Sequence, residues 1–92
     1  MKFSWSDEKD DEKRKKYPIG FKEIRGIFYG PWAPVESPYP GQHRAVGFAA
    51  SGGLYTVAYR DLADAKGNEV IELITFWKAT KTEEEAYNEV FS

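Results

Sequence analysis

The chain has 92 residues, of which 41% are hydrophobic and 16% aromatic, and its 13 basic and 15 acidic side chains give a net charge of −2. These values fit one domain with an adequate core, and the absence of cysteine excludes disulfides and thiolate zinc sites. A small acidic excess argues against strong general affinity for nucleic acid, although Glu83, Glu84, Glu85 and Glu89 concentrate acid at one end and leave the rest mildly basic. No stretch nears the ~20 apolar residues of a membrane span. The start, Met1 to Asp7, has no apolar run of the kind a secretory leader needs. The expectation is a cytoplasmic protein with no membrane contact.

Lys2-Phe3-Ser4-Trp5 alternates polar and apolar and predicts a short strand. Ser6 is a natural N-cap for a helix over residues 7–16 that contains no apolar side chain. Its charges are ordered, with Asp10–Arg14, Asp11–Lys15 and Glu12–Lys16 at i,i+4 and the bases gathered at the C-terminal end. Pro18 ends it. Phe21, Ile24, Ile27 and Phe28 recur at helical spacing and predict a short amphipathic helix over 21–29, stopped by Gly30-Pro31. Residues 31–41 hold four prolines and leave room for an edge strand near Trp32–Glu36.

Strands follow at about 43–51 and 54–61, joined through Gly52-Gly53, which read as a two-residue turn with positive φ. That turn sets Phe48 against Val57, Val46 against Tyr59 and Arg44 against Asp61. On the other side it sets Ala45 against Arg60, Gly47 against Ala58 and Ala49 against Thr56. One face is then bulky and apolar. The other is nearly bare, with Arg60 and the neighbouring His43 in one plane, and such a face suits an extended anion such as single-stranded RNA. A turn through Asp64–Asn68 leads to a strand over 69–78, apolar on both sides as a central strand is. Thr82 with Glu85 reads as a capping box, and Tyr87, Val90 and Phe91 give the last helix one apolar stripe.

Several short segments carry a likeness to a known family. Phe3-Ser4-Trp5-Ser6-Asp7-Glu8-Lys9 matches an F-x-W-D-x-x-K start, and Lys16-Tyr17-Pro18-Ile19-Gly20-Phe21 a K-H-G-V-S-F turn. Arg44 and Gly47 match an R-x-x-x-G strand with one residue fewer between them, Gly53 to Tyr59 a G-x-L-x-V-V-Y strand, and Ile74 to Thr80 an I-S-A-R-[RK]-A-T close. Glu84 to Tyr87 sit where E-x-x-x-Y-like residues stand. With these pieces the chain resembles, over nearly its full length, the BrnT family of type II toxins, which are small ribonucleases with a RelE-like fold. Two positions depart: Tyr17 replaces the family's His, and Trp77 replaces the Arg of its S-A-R segment. They remove a group that could transfer protons and one that could clamp phosphate.

The resemblance implies a single BrnT-like domain over residues 1–92 and an α+β fold. A small antiparallel β-sheet would be packed by two N-terminal helices and closed by a C-terminal helix. It implies metal-independent RNA cleavage by attack of a 2′-OH on the adjacent phosphate, no cofactor, and a cognate antitoxin that alone contacts DNA. Such chemistry needs a proton acceptor and cations for the developing phosphate charge. His43, the only histidine, is the candidate for proton transfer, and Arg44, Arg60 and Lys78 are the candidates for phosphate. Tyr59, Trp77 and Lys81 are candidates for RNA contact. Each has a plainer alternative: a strand-end side chain for His43 and Lys78, a cross-strand ion pair with Asp61 for Arg44, core packing for Tyr59 and Trp77. Tyr87 reads as core. Asp61, Asp64, Asn68 and Glu69 have no calcium-loop spacing, so no metal is assigned. The rival class is a non-catalytic protein-interaction module on the same scaffold, favoured by the acidic balance, Tyr17 and Trp77.

Overall fold

Five strands form one sheet in the order β1-β5-β4-β3-β2. The computed structural model describes residues 1–92. In chain order they build β1 (Lys2–Ser4), α1 (Asp7–Lys16), α2 (Phe21–Ile24) with a 3-10 turn (Arg25–Tyr29), β2 (Trp32–Val35), β3 (His43–Phe48), β4 (Leu54–Ala63), β5 (Glu69–Lys78) and α3 (Lys81–Phe91). The class is α+β. The sheet is mixed rather than antiparallel, because β1 runs parallel to β5 while the other neighbours are antiparallel. A parallel pair needs a crossover connection, and here everything between β1 and β5 supplies it. The middle strand is β4, with β5 beside it.

Two apolar clusters sit on opposite faces of the sheet. The larger joins Ile19, Phe21, Ile24 and Ile27 to Ala45, Val57, Ile71, Leu73 and Phe76, so α2 and the 3-10 turn cover what we call the inner face. The smaller joins Tyr87 of α3 to Ala33 and Val46, with Val35 and Leu54 alongside, and caps part of the outer face over β2 and β3. The helical run expected over 21–29 tightens to 3-10 geometry at Arg25, next to Gly26, a poor helix former. The α3 capping box is Thr80 with Glu83, two residues before the expected pair. Thr80 Oγ1 accepts the Glu83 N–H at 3.2 Å, and Glu83 Oε1 accepts the Thr80 N–H at 2.9 Å.

The β3–β4 register differs from the expected one by three residues, since Phe48 faces Leu54 where Val57 was expected. Gly52 and Gly53 do adopt positive φ, at 91° and 82°, but they close a longer loop. The Ala49 N–H reaches Gly53 O at 3.1 Å and the Gly52 N–H reaches Ala49 O at 2.9 Å, while the Ala50 N–H bonds Glu23 O at 3.1 Å and ties the loop to α2. An odd shift moves every partner to the opposite face. Ala45, Gly47 and Ala49 therefore lie beneath helices with Val57 and Tyr55, while Thr56, Ala58 and Arg60 face outward with Arg44 and Val46. The expected bare face does not form.

Polar side chains fasten α1. No residue of this helix is fully buried. Asp10 Oδ1 accepts the Phe21 N–H at 2.8 Å, so a carboxylate of α1 caps α2. Arg14 ties the arrangement together, with Nε 3.1 Å from Asp10 Oδ2 and Nη2 3.3 Å from Glu23 Oε1. A Cβ at Gly20 would lie 2.5 Å from Asp10 Oδ1, so only glycine permits this approach. Lys13 lays its ammonium 5.5 Å from the Phe76 ring centre. Burial, then Lys9 and Lys16, hold its pKa below the ordinary lysine value.

Asp10→Ala should cost about 1–2 kcal/mol, a drop of about 4–8 °C per kcal/mol in melting temperature for a domain of this size. The Phe21 amide should exchange with solvent faster than in the parent, read by hydrogen exchange. Unchanged exchange at Phe21 would show that α1 does not cap α2.

Candidate functional site

Strand pleating divides the candidate residues between the two faces. Arg44, Arg60 and Trp77 point outward. His43, Tyr59 and Lys78 take inner-face register positions, and Lys81 starts α3. His43 faces Tyr59 directly, ring centres 5.5 Å apart. The plane that was to hold His43 with Arg60 therefore holds only one of them.

Arg60 is not free of acid. Its β5 partner is Glu72, and Glu72 Oε1 accepts both Nε–H at 2.9 Å and Nη2–H at 2.6 Å. The β4–β5 register has one irregularity, between Ala58 and Tyr59, which leaves Ile74 without a direct partner. Beside it a cavity of about 430 Å³ is lined by Ser4, Trp5, Arg60, Glu72 and Ile74. The pair is half exposed, so its contribution to stability is under about 1 kcal/mol. Its chemical consequence is larger, because a guanidinium fork filled by carboxylate must release it before taking phosphate.

Arg44 has no acid partner. Its cross-strand neighbour is Ala58, where Asp61 was expected, and the fold's five ion pairs do not include it. The guanidinium carbon stands 4.9 Å from the centre of the Trp77 ring, and the buried Nε has no hydrogen-bond partner. Glu83 holds the indole in place, accepting Trp77 Nε1–H at 3.0 Å through Oε1 and 3.2 Å through Oε2. Burial opposes ionisation of Glu83, but the Thr80 N–H and the Trp77 indole outweigh it and hold the carboxyl below its ordinary value. The buried Thr56 hydroxyl, on the same outer face, has no hydrogen-bond partner. Trp77 is thus the plate beneath Arg44.

Tyr59 packs edge-on against Phe28 at 5.0 Å and Trp32 at 6.5 Å, and burial, then Asp61 and Glu69, raise its phenol pKa. Lys78 and Lys81 are exposed at the end of β5 and the start of α3. Tyr87 is core, as its spacing implied. Asp64 belongs to its turn, accepting the Lys66 and Asn68 N–H groups at 2.9 Å each. No helix is long and apolar enough to cross a membrane.

Glu72 and Glu83 are the site residues that sequence reasoning missed, though signals for both were present. The Asp64–Asn68 turn, counted back along both strands, brings Arg60 opposite Glu72. Thr80-Lys81-Thr82-Glu83 is itself a capping-box sequence.

Glu83→Ala removes a cap and the indole's acceptor and should cost about 1–2 kcal/mol. Because the folded pKa is depressed, the stabilisation is present above the unfolded value of about 4.3 and is lost as pH falls through the folded value. The parent's melting temperature should therefore fall more steeply than the variant's from about pH 5 to pH 3. Parallel curves would disprove the carboxylate's role. No protein-family model matches this sequence, and no curated protein matches it.

Proposed function

We propose that this chain is an interaction domain of BrnT-like design, which binds a protein partner and does not cut RNA. The observation that carries the reading is the division of the cleavage candidates: His43 lies across the sheet from Arg60, which is occupied by Glu72. Of the other cleavage candidates, His43 shares a cavity only with Arg44, whose guanidinium lies over the Trp77 ring. General acid–base chemistry needs the proton acceptor and the phosphate cations around one reacting centre. Positive support comes from the aromatic surface where α3 crosses the sheet. Phe48, 53% exposed, meets Tyr87 edge-on at 5.5 Å, and Tyr87 meets Phe91 at 4.7 Å. Val90, also exposed, lies on the same helix. Phe48 and Phe91, exposed where they pack on the buried Tyr87, are aromatic surface of the kind that marks protein contacts. The partner implied by the resemblance is a small antitoxin that itself contacts DNA.

A second reading keeps the ribonuclease toxin, and one observation favours it. Arg44, Arg60 and Trp77 share the outer face, and Glu72 touches Arg60. A carboxylate beside a guanidinium can take the 2′-OH proton while the cation meets the phosphate, with no metal needed.

Incubation with RNA in excess EDTA separates the two. The interaction reading expects intact RNA at high protein concentration, unchanged in Arg60→Ala and Glu72→Gln. Cleavage by the parent, reduced at least a hundredfold in Glu72→Gln, would establish the ribonuclease in its place.

A further inference from the structure

We propose that the groove beside Arg44 is a docking site for a protein segment, and that Arg44 receives a carboxylate side chain from that segment next to one of its basic residues. This rests on the interaction-domain reading and names its site and ligand chemistry.

The groove runs between the end of β2 and the first turns of α3. It has a volume of about 430 Å³ and is walled by Val35, Glu36, Thr80, Glu83 and Ala86, with Arg44 at its base. A second cavity, about 260 Å³ and lined by Ser37, Gln42 and His43, also borders Arg44. The side chain therefore stands between two openings, half-buried, stacked on Trp77, with a buried N–H that lacks an acceptor. A buried donor without a partner is costly, and a charged one more so. The planar fork of arginine is shaped for a carboxylate or a phosphate, and Glu83 anchors the indole over which the Arg44 guanidinium lies. Glu83 and Trp77 are positioning residues.

The charges around the fork decide which anion it suits. Glu36 and Glu83 line the same groove. A polynucleotide would bring further phosphates against these carboxylates, whereas a single carboxylate flanked by a base meets opposite charge on each side. Val35, Pro34 and Ala86 add apolar walls suited to a peptide's aliphatic carbons.

The test follows the Arg44 side-chain Nε–H resonance of 15N-labelled full-length protein, assigned by its loss in Arg44→Lys. Three probes are titrated: a capped tetrapeptide with one glutamate and one lysine, the same peptide with glutamine for glutamate, and oligouridylate. The expected result is a saturable shift with the glutamate peptide, binding at least tenfold weaker with the glutamine peptide. Arg44→Lys, which keeps the charge and loses the fork, should weaken the glutamate peptide at least tenfold, read on the backbone amides of Thr80 to Glu83. Equal binding of the two peptides, no shift at Arg44, or tighter binding of oligouridylate there would overturn the proposal. Intact RNA with a flat titration removes this site and leaves the interaction reading standing. Cleavage of RNA removes both.

Discussion

The closure of the first hairpin, with the Ala49 N–H on Gly53 O and the Gly52 N–H on Ala49 O, governs what each face of the sheet can do. It sets Phe48 opposite Leu54, and the Ala50 N–H then bonds the Glu23 carbonyl of α2. Every other cross-strand pair in β3 and β4 follows from that contact, because side chains alternate and an odd slip exchanges the faces. The small residues Ala45, Gly47 and Ala49 are consumed by the approach of helices: a Cβ at Gly47 would come within 2.9 Å of Ile27. Their smallness records close packing, with no room for a ligand. The polar side chains Arg44, Arg60 and Thr56 go to the other side, where only α3 covers part of the sheet.

Local chemistry was legible where it decides structure locally. Ser6 caps α1, the glycines of the first hairpin take positive φ, and the Asp64 turn forms around its carboxylate. The edge strand after Pro31 forms at Trp32–Val35, with Pro34 on the sheet's last strand, where a missing donor is tolerated. What sequence could not give was the length of the loop that these glycines close. Gly52-Gly53 is compatible with a two-residue turn and with the longer loop observed, and the choice between them decides every cross-strand pair. The error then spread to the site, placing His43 beside Arg60, whereas the Glu72 partner depends on the separate β4–β5 register. The direction of β1 is a similar case, since three residues of alternating pattern carry no mark of parallel or antiparallel pairing.

The all-polar α1 shows how a helix without an apolar stripe can still belong to a fold. Propensity and i,i+4 pairs contribute only a few tenths of a kcal/mol each, too little to hold ten residues in place. Docking comes from specific polar contacts: Asp10 to the Phe21 amide, Arg14 to Asp10 and Glu23, and Lys13 over Phe76. The long lysine and arginine stems shield apolar surface while their heads stay near water. Asp10 and Arg14 are consequently spoken for within the fold and Lys9 pairs with Glu12 at 3.7 Å, leaving Asp7, Glu8, Asp11, Lys15 and Lys16 as a mixed outward charge.

The same logic extends to the outer face and bears on the kind of molecule that fits it. Lys2 pairs with Asp64 at 3.2 Å and Arg60 with Glu72, so two of the face's cations already have acids. Polyanion binding gains from net positive potential and counterion release, and a face of alternating sign offers little of either. A protein surface can place opposite charges in register with such a pattern, gaining orientation and selectivity more than raw affinity. Apolar contact would then supply the binding free energy, and the Phe48–Tyr87–Phe91 cluster lies on the same α3 that walls the Arg44 groove. One helix therefore borders both the Phe48–Tyr87–Phe91 rings and the Arg44 groove, so a partner that met both would have to match shape as well as charge.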